Sequence, residues 1–151
     1  MTLLERTDGE EASYLEIVDL IERYGAAGMI KSDLHELFRR VIFNVMVANR
    51  DDNLLNHGFI MTPSGWTLSD AFDINPNIQS PNHALALDEA NPAPDLEVAF
   101  GTYRKYRLTE EKAIQIVKEV STAVSEWEAV AKQAGLSKPE IDRMHRAFLQ
   151  Y

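Results

Sequence analysis

Two polar stretches hold the residue types that could do chemistry. The first is Asn49-Arg50-Asp51-Asp52-Asn53-Leu54-Leu55-Asn56-His57-Gly58, and the second is Ser69-Asp70-Ala71-Phe72-Asp73-Ile74-Asn75-Pro76. Between them, Phe59-Ile60-Met61 and Trp66-Thr67-Leu68 flank Thr62-Pro63-Ser64-Gly65, a turn signal between two short strands. A hairpin pairs residues at equal distances from its turn. Asn56 and the neighbourhood of Asp73 are therefore predicted side by side at its open end, with Asp51 and Asp52 on the same side. Clustered carboxylates repel one another unless a cation joins them or one is protonated. With no cysteine and four histidines in the chain, the donors are oxygens, and an oxygen set selects a hard ion such as Mg²⁺. Mg²⁺ held by one or two side chains, with phosphates completing its shell, is the usual nucleotide arrangement. A carboxylate left off the metal can orient and deprotonate a hydroxyl nucleophile. The competing reading of Asp51, Asn56 and Asp73 is loop capping, because Asp and Asn favour turns and bond nearby backbone.

The elements that must position these stretches are mostly helical. Ser13-x-x-Glu16 has capping-box form, Ile17, Val18, Leu20, Ile21 and Tyr24 make an apolar stripe, and Gly25 suits the stop, which predicts a helix over 13–24. Asp33-x-x-Glu36 reads as the opening of a second helix. Its later turns, Val41 to Ala48, are apolar nearly all round, the mark of a buried helix; it delivers the chain into the first polar stretch. Residues 73–94, rich in Asn, Pro and Ser, read as irregular with a short apolar piece at 84–87. A short helix is predicted around Leu96, Val98, Ala99 and Phe100. Thr109 caps a long helix whose stripe runs from Ala113 through Trp127 to Ala134, with Gly135 as its stop. Ser137-x-x-Glu140 with Pro139 starts a last helix carrying Ile141, Met144, Phe148 and Leu149. Trp127 reads as core, Asp52 as a cap or solvated, Asp70 as support for the loop before Asp73, and His57 as a structural hydrogen-bonder. His35, His83 and His145 read as surface or helix-face residues. Met1 to Glu11 is polar and reads as loop.

Bulk properties narrow the classes. The 151 residues suit one domain, and 45% hydrophobic with 26% charged residues is ordinary for a soluble globular chain. A net charge of −9 repels phosphate backbones, so direct nucleic-acid binding is not expected. No apolar run nears the roughly 20 residues of a membrane span. The acidic N-terminus has no apolar signal-peptide core, and disulfides and thiolate metal sites are excluded, which together point to the cytoplasm.

The spacing has a counterpart. Protein kinases carry a catalytic Asp, an Asn five residues later, a hairpin, and then a metal-binding Asp. Asp51, Asn56, the predicted hairpin and Asp73 follow that order. The residues themselves resemble the C-terminal kinase region of HipA-type toxins. The resemblance lies in Leu37-Phe38-Arg39-Arg40-Val41-Ile42-Phe43-Asn44-Val45, in Asn49 to Phe59, and in Leu68 to Pro76, with Asp8-Gly9-Glu10 and Ser13-Tyr14-Leu15 similar to the preceding segment. It covers essentially the whole chain, 1–151.

That resemblance implies a mainly α (α+β) fold, the helical C-terminal lobe of a kinase-like architecture with one small β-hairpin. It implies a serine/threonine protein kinase of a bacterial toxin–antitoxin system, using ATP and Mg²⁺. Asp51 matches the catalytic base, Asn56 and Asp73 the Mg²⁺-binding pair, and Asn53 and Phe72 the positions that contact ATP. Asn53 stands where the family usually has His. The implied partners are a protein substrate and an antitoxin of helix-turn-helix type. The family's ATP-anchoring Lys and phosphate-covering loop lie upstream of the matched blocks, and no glycine-rich phosphate loop occurs here. The expectation is a lobe that is incomplete and inactive alone. The alternatives are a non-catalytic binding module, or a split-kinase subunit engaging an antitoxin or an N-lobe partner. Apolar surface left uncovered would favour a homodimer. A weaker reading is a Mg²⁺-dependent phosphate hydrolase using the same carboxylates.

Overall fold

The computed structural model describes residues 12–148. The readings for Met1 to Glu11 and for Leu149 lie outside the described residues. The fold is mainly α with a small β part, as the sequence predicts. Its elements are β1 (Ala12–Ser13), α1 (Tyr14–Tyr24), α2 (Ile30–Met46), β2 (Phe59–Thr62), β3 (Gly65–Leu68), β4 (Leu85–Ala86), α3 (Leu96–Gly101), α4 (Glu110–Ser125), α5 (Trp127–Gln133) and α6 (Lys138–Met144). Single 3₁₀ turns sit at Leu54–Asn56 and Tyr103–Tyr106.

Helix α2 is the axis of the molecule. Leu34, Leu37, Phe38, Val41, Ile42 and Val45 are each 0% exposed, and α1, α3, α4 and the second 3₁₀ turn all pack on it. A helix apolar nearly all round can satisfy its side chains only by being surrounded. Tyr14, Ile17 and Ile21 of α1 and Ala113, Ile116 and Val120 of α4 complete the core.

The predicted hairpin forms, with Phe59 opposite Leu68 and Thr62 opposite Gly65. It is seated on the corner between α1 and α2, where Ala26 N donates to Trp66 O at 2.7 Å and Ala27 N to Ser64 O at 3.3 Å. Gly65 makes that approach possible. It has φ 136°, and a Cβ there would lie 2.8 Å from the backbone of Ala26. A second, parallel pairing sets Ala12 beside Leu85 and Ser13 beside Ala86. It pins the irregular segment 73–94 to the start of α1.

Several expectations are corrected. Helix α2 starts at Ile30, not at Asp33. Asp33 is buried inside the first turn, and its carboxylate accepts from Thr67 Oγ1 at 2.9 Å and Leu68 N at 2.9 Å. The residue read as a cap instead clamps β3 to α2. The long C-terminal helix breaks at Glu126. Thr122 Oγ1 donates to Lys118 O and Ser125 Oγ to Thr122 O, hydroxyl bonds that compete with the helical ladder. Beyond the break, Trp127 leaves the main core and stacks on Phe148, centroids 4.2 Å apart, with the His145 ring edge-on. His83 is buried, not on the surface, because segment 77–84 is stitched over the loop after α2: Asn77 N donates to Ala48 O and Ala84 N to Arg50 O. His145 is exposed and His35 half-buried.

Candidate functional site

The loop after α2 is held by one carboxylate. Asp52, 4% exposed, accepts three hydrogen bonds on Oδ2: from Tyr14 Oη at 2.7 Å, Asn44 Nδ2 at 2.8 Å and His57 Nε2 at 2.9 Å. These donors come from α1, from α2 and from the far end of the loop itself. Asn44 Nδ2 also donates to Tyr14 Oη at 3.0 Å, and Asn49 Nδ2 donates to Asn44 Oδ1 at 3.0 Å. Ala48 takes the left-handed conformation, φ 50°, to turn the chain out of α2 and begin the loop. Burial, then the charge of Asp52, pushes the Tyr14 hydroxyl well above its usual range, so it stays a neutral donor. Asp52 is therefore a buried hub, which corrects its reading as a cap or solvated residue. His57 is the structural hydrogen-bonder the sequence suggests.

Around that hub the other residues fall into place. Asp51, next in the chain to Asp52, is exposed, and its Oδ1 accepts from Asn77 Nδ2 at 2.9 Å. Asn53 caps the 3₁₀ turn, its Oδ1 accepting from Leu55 N at 2.9 Å. Asn56 closes that turn; it is 9% exposed, and its side-chain amide has no hydrogen-bond partner among the described residues. Asp73 is exposed with φ 54°, a left-handed conformation that Asp tolerates, and its Oδ1 accepts from Asn75 Nδ2 at 2.9 Å. Asp70 is exposed, and its backbone carbonyl accepts from Ser69 Oγ.

Beside the loop, between α2 and α4, lies a cavity of about 280 Å³ whose walls include Phe43, Asn44, Asp52, Asn56, Phe72 and Val120. The structure thus brings Asn56 and Phe72 together in one wall. Asp51, Asn53 and Asp73 do not line that cavity. Gly58 lets Phe72 close in, since a Cβ on it would meet Ser69 Oγ at 2.8 Å and Phe72 Cε1 at 3.2 Å. Arg40, also in the wall, donates from Nε to Glu36 at 3.0 Å and from Nη2 to Ser69 O at 2.5 Å, fixing the chain just after β3. No group of three or more His, Cys, Asp or Glu among the described residues is placed to hold a metal ion. A site of one amide and one carboxylate is a different donor set. Sequence reasoning missed Tyr14, Asn44, Asn49 and Asp52 as a network. The one signal available was the polar Asn44 inside the apolar run Val41 to Ala48, with Asn49 directly after that run.

The sequence model of the HipA-like C-terminal domain matches residues 1–127. The chain belongs to the HipA-like C-terminal domain family. A search of the curated proteins finds no match. In this HipA-like domain the matched span runs from α1 through α4 and includes every residue of the Asp52 network; α6 lies beyond it. No helix among the described residues is long and apolar enough to cross a membrane.

Proposed function

We propose that this HipA-like domain is the phosphoryl-transfer lobe of a serine/threonine protein kinase of a toxin–antitoxin system, acting with ATP and Mg²⁺ in the cytoplasm. One observation carries the reading. A buried carboxylate, Asp52, ties down the loop while its neighbours are left available: Asp51 is exposed, and Asn56 lines the cavity with no hydrogen bond from its side chain to the described residues. Catalytic groups need to be held rigidly by others.

The donor chemistry fits the implied metal. The amide oxygen of Asn56 and the carboxylate of Asp73 are hard oxygen donors, and phosphates would complete the shell. When bound there, Mg²⁺ supplies charge neutralisation on the phosphate oxygens. The chain's own residues do the rest. Asp51 orients the substrate hydroxyl and accepts its proton on Oδ2, because Oδ1 is occupied by Asn77. Phe72, half exposed, offers a ring to the nucleotide, and Asn53 adds a polar contact at the lip of the loop. The substrate is a protein hydroxyl, and an antitoxin of helix-turn-helix type is the regulatory partner.

The test is incubation of the chain with labelled ATP, Mg²⁺ and a generic protein substrate. Transfer of label, abolished in Asp51→Asn, supports the reading; equal transfer by Asp51→Asn overturns the base assignment. A second reading, a binding module or split-kinase subunit, is favoured by exposed apolar side chains on the loop, the hairpin and the segment after it. Leu55 is 60% exposed, Ile60 56%, Met61 72% and Ile74 41%. Capture of a separate N-lobe or antitoxin without transfer of label favours that reading, and self-association in sedimentation favours a homodimer through exposed apolar surface.

A further inference from the structure

Segment 77–84 reads in the sequence as irregular chain, yet it is bonded to the loop after α2 along its length. Asn77 N donates to Ala48 O at 2.7 Å, Arg50 Nη1 to Ser80 O, and Ala84 N to Arg50 O at 2.8 Å. Asn77 is the most constrained residue of the segment. Its main chain is anchored to Ala48, whose left-handed turn starts the loop. Its Oδ1 accepts from Gln79 N at 3.0 Å and from Ser80 N at 3.3 Å. Two backbone donors on that oxygen decide which way the amide faces, so Nδ2 is the atom turned to Asp51 Oδ1, 2.9 Å away. Asp51 is constrained by little else. It is exposed, and among the described residues Asn77 Nδ2 is the only hydrogen-bond donor to its side chain. Asp52 fixes the main chain of the loop but makes no bond to that carboxylate.

From this we infer that Asn77 is a positioning residue for phosphoryl transfer: its Nδ2 holds Asp51 Oδ1 and thereby presents Oδ2 to the substrate hydroxyl. The inference rests on the reading of Asp51 as the base. A neutral amide is suited to the task, because a cationic partner would orient a carboxylate but also weaken it as a proton acceptor. Freed from the contact, an exposed Asp side chain spreads over its rotamers. A reacting group misplaced by about 1 Å costs up to about a hundredfold in rate.

Asn77→Asp separates this role from plain support of the turn. It keeps an oxygen for Gln79 N and Ser80 N, and sets a second carboxylate where the donor to Asp51 was. The variant should remain folded by circular dichroism. Its kcat for transfer of label from Mg²⁺·ATP to a generic protein substrate should fall about tenfold to a hundredfold, with KM for ATP unchanged. Asn77→Ser, whose hydroxyl can cap the turn but is too short to reach Asp51, repeats the test should the first variant unfold. Undiminished kcat in a folded variant overturns the positioning role and leaves Asp51 as the base. A fall in kcat no larger than the loss of folded protein shows support of the turn alone and overturns it too. The contact itself is read without activity, by NMR of the Asn77 side-chain amide protons in the isotope-labelled full chain. Their signals should move on Asp51→Ala, and signals that stay in place overturn the contact. Signals that move in a wild-type chain that transfers no label leave the contact standing and remove the kinase reading, and the positioning role with it.

Discussion

Replacing Asp52 tests whether one carboxylate holds the loop. In Asp52→Asn the side chain keeps its size, and its Oδ1 can still accept from Tyr14, Asn44 and His57, so no donor is orphaned; only the charge is lost. A hydrogen bond to an ion is worth about twice a neutral one of roughly 1 kcal/mol, so three bonds lose about 3 kcal/mol together. Against this, a buried charge no longer has to be stripped of water, which returns part of that loss. The net expectation is a destabilisation of about 1–2 kcal/mol. Asp52→Ala is a harsher change. It leaves three donors unpaired at a site 4% exposed, at about 1–3 kcal/mol each. A loss of at least about 3 kcal/mol is expected, a large part of the roughly 5–15 kcal/mol that holds a small domain folded. Urea unfolding followed by circular dichroism measures both, with wild type and Tyr14→Phe alongside. The reasoning is refuted if Asp52→Ala unfolds within about 0.5 kcal/mol of wild type, the range of an ordinary surface change.

Two further outcomes follow from other parts of the fold. Burial first, and then the charge of Arg50, lowers the His83 imidazole from 6.5 to about 4. The unfolded chain therefore takes up a proton on His83 that the folded one refuses. The stability this gives is complete above 6.5 and is lost as pH falls towards 4, by at most about 3 kcal/mol. His83→Gln should flatten the stability curve between those limits, and an unchanged acid slope by urea titration would remove His83 as its cause. Gly65→Ala should destabilise by about 2 kcal/mol or more, because the residue has φ 136° and its new Cβ would meet the Ala26 backbone. Thermal unfolding checks this, and a variant as stable as wild type would show that the hairpin's seat on the α1–α2 corner can shift freely.

The sequence by itself determined the local punctuation of this HipA-like domain. The capping boxes at Ser13 and Ser137, the Thr109 cap and the turn at Thr62 to Gly65 all stand where their residues predict. Caps and turns close within four residues, so the chain around them carries all the information. Tertiary structure decided which carboxylate does what. Asp51 and Asp52 are neighbours of the same type, yet one is exposed and the other is the hub of a buried network. The difference is made by the left-handed turn at Ala48 and by Tyr14, which lies 38 positions away along the chain. Asp33 reads as a cap by its spacing to Glu36, but its carboxylate is claimed by Thr67 and Leu68, which arrive only when the hairpin folds back onto α2. His83 is buried by the stitching of its segment over the loop, and the last long helix breaks where hydroxyls compete with its ladder. A buried polar group takes whichever partner reaches it in three dimensions, and no spacing along the chain records which partner that is.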